Sequence, residues 1–71
     1  MSEFTYYKYN GGDERRSPIY FKVDKKSGYY WQRRSYGGWK DGRILFKELR
    51  QAVRVHCKEI SEDEILIEFI K

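Results

Sequence analysis

The sequence predicts an α+β domain: a small antiparallel sheet of three to four strands with one amphipathic helix packed on a face, in the order β-β-β-α-β or β-β-α-β. Three observations predict it. Apolar and polar residues alternate with period two at 19–23, turn residues separate that stretch from a returning strand, and apolar residues between 45 and 60 recur at three- and four-residue steps. With 71 residues and 39% apolar content, the chain has room for one domain, residues 1–71. A domain this small buries only about 60% of the surface its unfolded chain exposes.

The first strand is expected at 4–9, FTYYKY, where aromatic and Thr residues favour a pleated surface. If that strand lies at a free edge, pairing with a second copy gives a homodimer. NGGDERRSP, with Gly11, Gly12 and Pro18, reads as an exposed loop carrying Arg15 and Arg16. At 19–23, Ile19, Phe21 and Val23 alternate with Tyr20 and Lys22, which assigns the first three to the core. Asp24 to Gly28 supplies turn chemistry, and Gly28 can take the positive φ that closes a short hairpin.

The returning strand, Tyr29 to Ser35, puts Tyr29, Trp31 and Arg33 on one side and Tyr30, Gln32 and Arg34 on the other. Trp31 has the largest apolar area to hide, so Tyr29 and Trp31 are assigned to the core side. Gly37-Gly38 and Asp41-Gly42 mark further turns, with a short strand at Arg43 to Phe46. A helix follows, carrying Leu45, Leu49, Ala52, Val53, His56 and Ile60 on its sheet-facing stripe and Lys47, Arg50, Arg54 and Lys58 as a basic ridge. At the C-terminus two signals compete. Ser61-Glu62-Asp63-Glu64 has the form of a helix capping box, whereas Ile65 to Ile70 is a short, β-branched run, and its length favours a strand. The expected core is Ile19, Phe21, Val23, Leu45, Leu49, Val53, Ile65, Ile67 and Phe69.

Functional classes narrow by exclusion. The lone Cys57 rules out an internal disulfide framework and reads as a small apolar residue. His56 and Cys57 are neighbours about 100° apart on a helix, and with no second His or Cys they cannot complete a zinc site. His56 is expected at the core boundary. Glu62, Asp63 and Glu64 lack the spacing of a calcium loop, and no glycine pattern fits a phosphate-binding loop, so no cofactor is expected. A catalytic cleft is hard to build at this size, and a binding protein is expected rather than an enzyme. No apolar run reaches the roughly 18 residues that span a bilayer, and no signal-peptide pattern opens the chain. A soluble, cytoplasmic location is expected, in its own cell or a host's.

The positive charge is unevenly placed. The net charge is +4, yet residues 1–45 carry ten Lys or Arg against five acids, while 46–71 carry five against six. Within 25–43, five large aromatics interleave with six basic residues and one acid. Rings stack on unpaired bases and cations neutralise phosphates, so this pattern suits a nucleic-acid-binding accessory module. The candidate contacts are Lys25, Lys26, Tyr30, Arg33, Arg34, Tyr36, Trp39, Lys40, Arg43, Arg50 and Arg54, with Tyr30, Tyr36 and Trp39 the rings expected to be least buried. Tyr, Trp and Arg also dominate many protein interfaces. The alternative is therefore a protein-binding inhibitor or adaptor of the phage or mobile-element kind, acting on a host nucleoprotein complex such as a polymerase or a CRISPR-type defence nuclease.

Overall fold

The computed structural model describes residues 3–10, 18–34 and 37–70. Five strands form one antiparallel sheet: β1 (Phe4–Tyr9), β2 (Ile19–Asp24), β3 (Tyr29–Arg33), β4 (Lys40–Leu45) and β5 (Lys58–Ile60), in the spatial order β4-β3-β2-β1-β5. Between β4 and β5 come a 3-10 turn, Phe46–Glu48, and a short helix α1, Gln51–His56. The helix α2, Glu62–Phe69, ends the described chain. The α+β class holds, with one more strand and one more helix than the sequence predicts.

The β2–β3 hairpin forms as its residues dictate. The Asp24 carboxylate accepts from the backbone N–H groups of Lys26 at 2.7 Å and Ser27 at 3.3 Å, and Gly28 takes a φ of +81°. That conformation is strained for residues with a Cβ. The same two amide bonds, led by that from Lys26, hold the Asp24 carboxyl below its usual range.

β1 pairs with β2 from Phe4 opposite Asp24 to Tyr9 opposite Ile19, and its other side pairs with β5 at Tyr6–Lys8. It is an interior strand, so the expected free edge at 4–9 does not exist. The edges are β5, only three residues long, and β4, which is bulged between its pairings with Tyr29 and Trp31. Short and bulged edges resist edge-to-edge pairing. The bulge occupies the expected Asp41-Gly42 turn: the Asp41 carboxylate accepts from the Arg43 N–H at 2.8 Å, and Arg43 is held at φ +66°.

Period two distributes side chains to two faces, and both are covered. On one face, hereafter the Phe46 face, Phe21 meets Tyr30 and Phe46 edge-on, while Tyr7 stacks on Phe46 with ring centres 5.0 Å apart. On the opposite α2 face, Tyr20 meets Phe69 edge-on and its hydroxyl donates to Glu68. Glu68 also accepts from Lys8 at 2.8 Å. The most buried side chains are accordingly Tyr20, Phe21, Tyr30 and Ile65.

Several expectations are corrected here. Tyr30 is buried at 5% exposure and Tyr29 is 47% exposed, the reverse of their expected faces. The cause is Gly42, which lets the Tyr30 ring lie against the β4 backbone; a Cβ at 42 would overlap that ring. Tyr20, expected opposite the core, is 2% exposed because α2 supplies a second layer. Of the expected core, Phe21 and Ile65 are buried. Ile19, Val23, Leu45, Leu49, Val53 and Phe69 are half-buried. Ile67 is 52% exposed on the outer side of α2.

The long helix expected from about residue 45 to 60 is broken. Cys57 takes an extended conformation, and Lys58–Ile60 turn into β5 to satisfy the backbone groups on the outer side of β1. Tertiary pairing thus overrides the helical stripe, and His56 ends up exposed rather than at the core boundary. The C-terminal strand is likewise overturned. Ser61 Oγ accepts from the Glu64 N–H at 3.1 Å, and three acids occupy the first turn of α2, where they complement the helix dipole.

Candidate functional site

The β2–β3 turn and the segment after β4 meet at one end of the sheet, because the Phe46 N–H donates to the Gly28 carbonyl at 2.9 Å. That contact brings together cations from distant parts of the chain. Lys25 and Lys26 from the turn and Lys47 and Arg54 from the later segment line a recess of about 420 Å³, floored by Val23 and Phe46. Among the described residues no carboxylate lines it. Arg54 is positioned by a 3.0 Å bond from its Nε to the Leu49 carbonyl.

At the other end of the sheet Arg33, Arg34 and Lys40 line a second recess of about 210 Å³ beside Gly37 and Gly38, again with no carboxylate among its described lining residues. Ile19 borders this recess and Val23 the first. These two residues, four apart on β2, lie on the same side of the strand. The recesses therefore sit at the two ends of one sheet face, separated by β3, whose five residues span about 13 Å.

The structure divides the single surface expected from the sequence. Lys25, Lys26 and Arg54 gather at the turn end, and Arg33, Arg34 and Lys40 at the far end. Arg43 is exposed beside the β4 bulge and borders a separate groove with Tyr29 and Trp31. Arg50 is exposed just before α1 and lines none of these recesses. Tyr30 is withdrawn into the core and cannot contact a partner. Trp39 is half-buried rather than among the most open rings. Tyr36, with Arg15 and Arg16, lies outside the described residues. The expected helix ridge Lys47, Arg50, Arg54 and Lys58 is split over three elements and the residue before α1, though Lys47 and Arg54 still converge.

Sequence reasoning missed Lys22. It stands on the α2 face with its ammonium 4.8 Å from the Trp39 ring centre, 4.9 Å from Phe4 and 5.4 Å from Trp31. Next to it the Arg33 guanidinium lies 3.7 Å from the centre of Phe69 and 5.7 Å from Trp39. About one such contact is typical of a chain this long. Here six occur among the described residues, all on this face, so its cations are held by rings as well as by the Glu68 carboxylate. The signal existed in the sequence as Phe4, Tyr6, Lys22 and Trp31, each at an alternate strand position, but only the register places them side by side.

Among the described residues no cluster of His, Cys, Asp or Glu could hold a metal ion, and no helix is long and apolar enough to cross a membrane. Burial pushes the Cys57 thiol up to about 11, which keeps it protonated and poorly nucleophilic at neutral pH. No family model, curated protein or solved structure matches the chain.

Proposed function

We propose that the protein is a non-enzymatic nucleic-acid-binding module whose two basic recesses engage the sugar-phosphate backbone. The observation that carries this is the convergence of Lys25 and Lys26 from the β2–β3 turn, Lys47 from the 3-10 turn and Arg54 from α1 on a recess that no acid lines among the described residues. Four like charges so arranged repel one another, and a polyanion relieves that repulsion. The spacing is compatible with one ligand reaching both ends: about 13 Å along β3 corresponds to about four phosphates of one strand of a duplex.

A second function, a protein-binding inhibitor or adaptor, is favoured by a different observation. Leu66, Ile67 and Ile70 are exposed on the outer side of α2, Ile70 at 83%. Salt dependence separates the two. If all seven recess cations reach phosphates, log K should fall against log salt with a slope of about −6 on duplex DNA, and the Lys25→Glu, Lys26→Glu double variant should flatten it by about 2. Retention of a protein from lysate after nuclease treatment, with no affinity for free nucleic acid, would favour the inhibitor instead.

A further inference from the structure

The C-terminal turn of α2 packs toward the Arg33 end of its sheet face. Phe69 packs edge-on to Tyr20 and Trp39, and Glu68 pairs with Lys8, all toward the Arg33 end of β3. At the hairpin end Phe4 and Trp31 pack edge to face at 5.9 Å, and Tyr29, two residues before Trp31 and on the same side, is 47% exposed. Lys22 stands among Phe4, Trp31 and Trp39. Among the described residues the one ion pair is Lys8–Glu68, so the Lys22 charge has rings but no carboxylate. Ring faces stabilise the charge without accepting its hydrogen bonds in the way an oxyanion does, so a phosphate oxygen can add to what the rings supply.

We infer that this open half of the α2 face is a stacking platform for single-stranded nucleic acid, with bases on Tyr29 and Trp31 and a phosphate on Lys22. The inference rests on the proposed function and narrows it to unpaired strands. Duplex bases hide their faces in the stack, whereas a flat sheet face bearing rings needs a base whose face is free. An apolar protein partner is disfavoured by the same geometry, because it would bury the Lys22 ammonium without an acceptor.

Neighbouring charges set the path of the strand. Asp41 stands opposite Trp31 and lines the groove holding Tyr29, Trp31 and Arg43, so phosphates are turned away from that side except where Arg43 reaches them. On the β1 side Glu59 and Glu62 line a groove together with Phe4 and Lys25, and Lys25 is the one cation among its described lining residues. Lys25 lines this groove and also the four-cation recess. A strand leaving the rings therefore passes around the β2–β3 turn into that recess, with Lys25 common to both.

The test uses the full chain with fluorescein-labelled dT12 and a 12-base-pair duplex, read by anisotropy. Wild type should bind dT12 more tightly than the duplex at equal salt, with tryptophan emission quenched. Tyr29→Ala should weaken dT12 binding by about 5- to 100-fold while leaving duplex binding and the salt slope unchanged. Lys22→Met should lower the dT12 salt slope by about 0.7, the value for one phosphate on a single strand. Trp31→Phe should retain most dT12 affinity where Trp31→Ala loses it, which separates stacking from folding, and thermal unfolding of each variant checks the fold. Duplex binding as tight as dT12, or dT12 binding that survives Tyr29→Ala and Trp31→Ala, overturns the platform but leaves the wider function standing. If neither probe binds, both fail.

Discussion

The two faces of the sheet use aromatic residues in opposite ways. On the Phe46 face, Tyr7, Phe21, Tyr30 and Phe46 contact one another with no cation among them, and Phe21 and Tyr30 are buried. On the α2 face, Phe4, Trp31, Trp39 and Phe69 each hold Lys22 or Arg33 against a ring and remain half-buried. Ring-on-ring packing excludes water and stores stability; a cation over a ring keeps one side polar and stays ready for an anion. The centre of the Phe46 face is packed ring on ring, with its cations only at the two ends, whereas the α2 face sets cations among its rings, with Tyr20 and Ile65 buried beneath and within α2.

Disrupting the dry face should have the largest effect. Phe46→Ala removes the ring that touches Tyr7, Phe21 and Tyr30, and should cost about 3–5 kcal/mol in urea unfolding, a large share of the stability of a small domain. Gly42→Ala should follow at about 1–3 kcal/mol, because the new methyl group overlaps the Tyr30 ring and that ring is boxed in by Phe21 and Phe46. Equal losses from Lys22→Met would break the comparison, since they would make the cationic face structural too.

Ser61→Ala probes how α2 is held over the second face, and removing the cap should cost about 1 kcal/mol. A C-terminal strand would show no such loss. The pH dependence of Cys57 probes the packing beside β5. Its folded thiol titrates at about 11, above the ordinary 9.0, so the contribution of burying the neutral form is complete below pH 9 and is lost as pH rises toward 11. Unfolding midpoints of wild type and Cys57→Ala should therefore converge across that window. Reaction with a disulfide reagent at pH 8 should be slow until the chain is unfolded.

Much of the sheet was legible in the sequence. β1 follows from the aromatic and Thr residues at 4–9, and β2, β3 and the hairpin from alternation at 19–23 and from Asp24 and Gly28, all of which act locally. What was hidden depends on partners distant in sequence. Alternation identifies one buried face, and nothing near Tyr20 announces that α2 will cover the other. Tyr30 is buried by the absence of a side chain at Gly42, a fact about a strand across the bulge. Lys58–Ile60 continue a helical pattern yet become β5 because β1 has backbone groups to pair. At the C-terminus the capping signal at Ser61 and Glu64 outweighed a β-branched run once both sides of β1 were occupied. The site divides in the same manner: Lys25 and Lys26 are adjacent in the chain, but their union with Lys47 and Arg54, and the rings around Lys22, require the tertiary structure.

The stacking platform on the α2 face is tested most directly by following the 15N-labelled protein by NMR during titration with dT12. The Trp31 indole N–H and the amides of Lys22, Lys25 and Tyr29 should shift together. Shifts centred on Leu66, Ile67 and Ile70, with Trp31, Lys22 and Tyr29 unmoved, would contradict it.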